Sequence, residues 1–267
     1  MRLLATLGVL ALVGCAGLRQ VPHADPSRSV VVRDVTVVDV ASGSLRPHTT
    51  VTVRGSLITA VADTADARPP TDALVVDGSG RYLIPGLWDM HSHALWRPEV
   101  VRTFLPLYVA NGVTGIRDMG GQLPILGSIR ESQSEGDPLW PRVVAAGEVL
   151  DGPEPVHREI SIPVSDAASA RAAVDTLARS GVDFIKVYTL LPRDAYFAVI
   201  AEARRVGLPV AGHVPADVSV WEAARAGQAS IEHLRDEIEP FCSPLDVDTC
   251  SQLAQSFRAN RTWQVPT

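Results

Sequence analysis

From Tyr82 onward the chain alternates short apolar segments with helix-forming ones, and chemically active side chains recur at the ends of the apolar segments. Strand candidates fall at 82–89, 113–118, 142–147, 183–188, 209–213, 229–233 and 262–266. Between the later ones lie helical stretches with an apolar face: Asp166 to Arg179, capped by Ser165 or Asp166, then Pro192 to Val206, Trp221 to Ala226 and Val247 to Ala259. The second of these stops at Gly207-Leu208-Pro209. Strand-helix repetition with crossovers of this length requires a parallel sheet. A doubly wound sheet and a barrel share that rhythm, and the polar residues separate them. They sit at the ends of the first, fourth, fifth and sixth strands, which surround one mouth in a barrel but spread along an edge in an open sheet.

The expected fold is therefore α/β, a TIM-like (β/α)8 barrel over residues 82–267. A full barrel takes about 250 residues, whereas 82–267 supplies 186. Seven strand candidates fit, so the barrel is expected to be incomplete, with strand eight missing. Residues 30–81 read as a small β-sandwich-type domain. Ser29 to Asp39 is β-branched, Gly43 marks a turn, two strands flank Gly55 within Thr50 to Val61, and Ala73 to Val76 adds another. So short a segment is expected to draw its covering layer from elsewhere.

The first 15 residues have the make-up of an export signal: Arg2, an apolar run from Leu3 to Val13, then Gly14-Cys15. The segment resembles a bacterial lipoprotein signal, in which cleavage leaves Cys15 lipid-modified; an ordinary secretory signal is the alternative. Residues 16–29 would be a tether. By the same resemblance, Ala16 after the cysteine points to the periplasmic face of an outer membrane, with the protein lipid-anchored in the cell envelope. A formal charge of −6 and the lack of a basic stripe argue against nucleic acid as a partner. Cys242 and Cys250 could pair in an oxidising envelope or remain separate thiols.

The chemistry centres on Asp89-Met90-His91-Ser92-His93. His91 and His93, two apart at a strand end, point the same way. His213 in Ala-Gly-His-Val and His233 in Ile-Glu-His-Leu end later strands. Lys186 sits in the apolar run Phe-Ile-Lys-Val-Tyr. Burial there favours the neutral amine, which can add carbon dioxide to form an anionic carbamate; a lysine snorkelling at the rim is the other reading. Neutral imidazoles with an anionic oxygen suit a divalent metal. Asp89 is expected to brace a histidine or the loop rather than to ligate. His23, His48 and His157 fall in tether or loop and receive no role.

These pieces resemble the amidohydrolase superfamily, in particular its imidazolonepropionase-like branch, which includes Xaa-Pro and Xaa-Arg dipeptidases. The matching segments are Pro85 to His93, Gly115 to Gly121, Ile185-Lys186-Val187-Tyr188, Gly212 to Pro215, Ile231-Glu232-His233 and Thr262 to Thr267. The resemblance implies two divalent metals, zinc foremost. It places His91 and His93 on the first, a carboxylated Lys186 as the bridge, and His213 and His233 on the second. It also implies that Tyr188 faces the substrate and that Arg117 and Asp118 stabilise the strand-two loop. The family's strand-eight aspartate has no counterpart here. The expected activity is metal-dependent hydrolysis of carbon–nitrogen bonds in small amides or dipeptides. The rivals are a lactonase or phosphotriesterase, and a truncated, inactive homologue. The sequence leaves the oligomeric state open.

Overall fold

A computed structural model describes residues 28–135, 140–234, 238, 242 and 247–267. The expected export signal, Cys15 and most of the tether lie outside the described residues. The chain divides into two compact units, residues 1–84 and 85–267.

In the first unit β1 (Ser29–Val38), β2 (Leu45–Arg54), β3 (Leu57–Asp63), β4 (Leu74–Asp77) and β5 (Tyr82–Leu83) form a single mixed sheet in the order β3-β2-β1-β4, with β5 also on β1. β1 and β2 pair antiparallel, and β1 runs parallel to β4 and β5. Val31, Val35 and Val51 are buried, as the β-branched alternation of the segment requires. Two departures from regular backbone are tied together, because Asp34 and His48 both take left-handed φ values and the His48 ring meets the Asp34 carboxylate at 2.9 Å.

The second unit holds two parallel sheets. One is β6 (Leu87–Ser92), β7 (Val113–Asp118) and β8 (Arg142–Ala145). The other has the order β10-β9-β11-β12-β13-β14, with β9 (Val149–Asp151), β10 (Ser161–Pro163), β11 (Ile185–Val187), β12 (Val210–Gly212), β13 (Ser230–Glu232) and β14 (Trp263–Val265). Asp183, just ahead of β11, donates its N–H to Ala145 O at 2.9 Å and accepts the Ala145 N–H on its carboxylate at 2.7 Å. Those bonds stitch the sheets together, so β6-β7-β8-β11-β12-β13-β14 follow one another in space as in sequence. This succession of parallel strands is consistent with a TIM-like fold; among the described residues no backbone pairing joins β14 to β6.

Helices α1 (Pro98–Ala110), α2 (Leu123–Glu135), α3 (Ala167–Arg179), α4 (Arg193–Val206), α5 (Val220–Ala226) and α6 (Val247–Asn260) separate most of these strands. On α3 the buried residues are Ala170, Ala173, Val174 and Leu177, the spacing of one helical face. Asp166 caps α3, accepting the N–H groups of Ala168 and Ser169 at 2.9 and 2.8 Å. Helix α5 starts on a capping box of Ser219 and Glu222, and α4 stops at Gly207 in the left-handed region. Cys242 and Cys250 form a disulfide. Among the described residues no helix is long and apolar enough to cross a membrane.

Candidate metal centre

Because the strands are parallel, their C-terminal ends share one edge, and the side chains singled out from the sequence gather there. His91 lies in β6 and His93 just beyond it; Lys186 lies in β11, with Tyr188 next after it; His213 and His233 immediately follow β12 and β13. The His91 ring centroid is 5.4 Å from that of His93 and 4.6 Å from that of His233, which lies 5.0 Å from His213. Tyr188 packs on His213 with centroids 4.0 Å apart. Lys186 is fully buried, with its ammonium nitrogen 5.7 Å from the Tyr188 ring centre.

Each imidazole is held through Nδ1. His91 meets Glu232 Oε2 at 2.9 Å, His93 meets Gly120 O at 3.0 Å, His213 meets Thr189 Oγ1 at 2.9 Å, and His233 meets the Thr267 hydroxyl. A carbonyl only accepts, so Nδ1 of His93 carries the hydrogen and Nε2 keeps its lone pair. The backbone makes these meetings possible. Gly120, beside the His93 ring, would bring a Cβ within 2.6 Å of Val149, and Gly212 at φ +133 would bring one within 2.2 Å of Val187 O and 2.9 Å of Lys186 Cδ. His233 itself is in the left-handed region at φ 61, a costly conformation for a non-glycine residue and one that concentrates at functional sites.

The electrostatics match the geometry. Burial, with the Lys186 charge a lesser contributor, lowers His93 to about 4 and His213 to about 3, so both are neutral near pH 7. Lys186 thus stands close enough to influence a histidine of either pair. Burial pushes Glu232 up, but hydrogen bonds from His91 and Ser230 and the nearby Arg117 charge outweigh it and hold the carboxyl below its ordinary range. Asp118, fully buried, is raised by burial to about 7 although it accepts backbone N–H groups.

The braces expected from the sequence occupy definite places. Asp89 accepts the His91 N–H at 3.0 Å and the Tyr108 hydroxyl at 2.9 Å. Asp118 accepts the Leu95 N–H at 2.9 Å and the Gly120 N–H at 3.3 Å, shaping the loop after β7. Arg117 reaches further than that loop. It donates to Met90 O at 2.7 Å, Ser230 Oγ at 3.0 Å and Glu232 Oε1 at 2.6 Å, crossing from β7 to β13. Glu232 and His157 were not anticipated. Glu232 is fully buried at the middle of the constellation. The Nε2 of His157 lies 3.2 Å from the Tyr188 hydroxyl, and its ring sits between Tyr188 and Trp96, centroids 5.5 and 5.4 Å away. For Glu232 the sequence did offer a signal, a carboxylate inside the apolar run of β13; for His157, within a loop, it offered none.

Among the described residues no three His, Cys, Asp or Glu side chains form a ready ligand group. A centre of two histidine pairs sharing a lysine-derived bridge contains no such triple. The His213 Nε2 atom is buried without a hydrogen-bond partner among the described residues, on a ring whose other nitrogen is occupied. A neutral ring with Nδ1 engaged and Nε2 open is suited to metal ligation. The residues present fit a divalent metal.

No family model matches the chain. An adenine deaminase from Rubrobacter xylanophilus is 35% identical over 91 residues, which is 34% of this chain and 15% of that protein. Among solved structures, a proposed prolidase from Bifidobacterium longum matches at 25% identity and TM-score 0.69, covering 78% of this chain and 54% of the other. A bottromycin amidohydrolase matches at 28% identity and TM-score 0.63, covering 88% and 49%. A Xaa-Pro dipeptidase with methionine bound in its active site matches at 20% identity and TM-score 0.70, covering 89% and 66%. The structural neighbours are amidohydrolase-fold proteins, and the chain shares their fold. It spans about half the length of the first two of these structures.

Proposed function

We propose that the chain carries the metal centre of a hydrolase that cleaves carbon–nitrogen bonds in small amides, with dipeptides as the first substrate class. The single observation that carries this reading is the meeting of four imidazoles from three strand ends, with Lys186 fully buried on β11, the strand paired with β12. His91 and His93 would hold one divalent ion and His213 and His233 the other, with Lys186, carboxylated by carbon dioxide, shared between them; zinc is the first candidate. When bound, such a pair supplies Lewis acidity at neutral pH.

The chain's own residues do the rest. His93 and His213, kept neutral by burial, offer lone pairs without first having to lose a proton. Gly120, Thr189 and Glu232 fix three ring orientations, so the donors are set before substrate arrives. Tyr188, with its hydroxyl toward His157, would orient the carbonyl or carboxylate of the substrate, and Trp96 would extend that wall. Two structural neighbours support a small substrate: a prolidase solved with N-methylphosphonate-L-proline and the dipeptidase with bound methionine.

The test is a panel of Xaa-Pro and Xaa-Arg dipeptides, N-acyl amino acids and cyclic amides, run beside lactones and a phosphotriester on metal-loaded protein. Amide hydrolysis that His213→Asn abolishes supports the proposal. Turnover of esters alone would move the assignment to a lactonase or phosphotriesterase, and no turnover of any amide would remove the amide assignment.

A further inference from the structure

Glu232 and His91 are 141 residues apart in the chain and meet at 2.9 Å, in a contact between two side chains that are both almost fully enclosed. The two carboxylate oxygens have different surroundings. Oε1 receives the Arg117 guanidinium and the Ser230 hydroxyl, each at 2.6 Å, and Oε2 faces His91 Nδ1. A guanidinium cannot accept a hydrogen bond, so the Oε1 side is fixed as an acceptor position. Arg117 is fixed in turn by Met90 O at 2.7 Å and Ser230 Oγ at 3.0 Å. An ionised carboxylate can only accept, so the ring nitrogen opposite Oε2 has to carry the hydrogen. At Nδ1, His93 and His213 meet neutral groups instead, a carbonyl and a hydroxyl.

We infer that Glu232, polarised by Arg117, is a positioning residue that locks His91 in the Nδ1–H tautomer and so presents the Nε2 lone pair to the metal centre. The metal half of this inference rests on the reading above; the tautomer half does not. No proton is gained or lost, since both tautomers are neutral and the pair selects between them.

The isosteric variant Glu232→Gln makes a sharp test. The new amide has one oxygen and one NH2. Arg117 and Ser230 both donate, so the oxygen stays on their side and the NH2 turns toward His91. Nδ1 must then accept, and the ring hydrogen moves to Nε2, pointing an N–H into the site. Imidazole nitrogen shifts and couplings of the full chain without metal, assigned by their loss in His91→Gln, should show Nδ1–H in the wild type and Nε2–H in Glu232→Gln. Zinc affinity, measured by competition with a chromophoric chelator, should fall about 10- to 100-fold, the usual effect of losing such a brace. In the double variant Arg117→Met with Glu232→Gln the amide is free to turn its oxygen to His91, so Nδ1–H should return with part of the affinity.

A wild-type His91 in the Nε2–H form, or a Glu232→Gln variant that leaves the tautomer unchanged, would overturn the inference. If Glu232→Gln does not fold, the wild-type tautomer alone decides. An Nδ1–H wild type that binds no zinc would uphold the lock and remove the metal-centre reading, so the two failures are distinct.

Discussion

Replacing Tyr196 by phenylalanine should destabilise the protein far more than the loss of one oxygen suggests. Tyr196 is fully buried on α4, and its hydroxyl donates to Gln228 Oε1 at 2.8 Å. Gln228 is also fully buried, and its Nε2 donates to Gly212 O and Ser230 O, both at 3.0 Å. Its own carbonyl accepts the Thr262 hydroxyl at 2.9 Å. One side chain thus pins the end of β12 to the start of β13, one residue ahead of His213. Removing the hydroxyl strands a buried acceptor, a loss of about 1–3 kcal/mol, where a hydrogen bond whose two partners go together is worth only about 1 kcal/mol net. Urea denaturation at neutral pH with the disulfide intact measures it, the midpoint moving at constant slope. In a cycle with Gln228→Leu the pair should couple by about 1 kcal/mol or more, because each change strands what the other removes. A Tyr196→Phe protein within about 0.5 kcal/mol of wild type, or a fully additive cycle, would refute the reasoning.

Further expectations concern the cap, the strand contact and the wall of the site. Glu222 is lowered to about 2 by its bond to Arg193, then by those to Ser219, so its contribution is present above its ordinary 4.5 and lost as pH falls toward 2. The stability difference between wild type and Glu222→Gln should therefore be constant at neutral pH and close across that acid window in thermal melts; a gap that survives below it would contradict the linkage. Gly212→Ala places a Cβ 2.2 Å from Val187 O on a backbone at φ +133, and should cost about 3 kcal/mol or prevent folding. A urea midpoint equal to that of wild type would show that the strands can part without penalty. His157→Phe removes the partner of the Tyr188 hydroxyl. It should leave metal content unchanged and raise KM about fivefold, the equivalent of one hydrogen bond; a loss of metal instead would place His157 among the ligands.

Much of the fold was legible because periodicity is a local property. The strands β7, β8 and β11 to β14 and the helices α3 to α6 announce themselves through apolar runs, caps and glycine stops, each read from a few neighbouring residues. The histidines were legible for the same reason, as each polar residue interrupts an apolar strand end. Long-range pairing was not. That Arg117 would span to Ser230 and Glu232, or that His157 would reach Tyr188, depends on loop paths that no local pattern encodes. The short strands β9 and β10 escaped notice too, since three residues of Val-Leu-Asp or Ser-Ile-Pro carry almost no period. In the first unit the described residues form one mixed sheet, where the sequence suggests a sandwich-type domain. Leu57 and Ile58 on its edge strand β3 are exposed, at 67% and 68%.

Metal stoichiometry tests most directly whether His91, His93, His213, His233 and Lys186 form a binuclear metal centre. Full-length protein would be stripped with a chelator, reconstituted with zinc and bicarbonate, desalted and assayed by inductively coupled plasma mass spectrometry. Two tightly held ions per chain are expected, falling to one or none in His213→Asn and Lys186→Met while both variants stay folded. Folded protein that retains no zinc, or that retains the same amount after those substitutions, would contradict it.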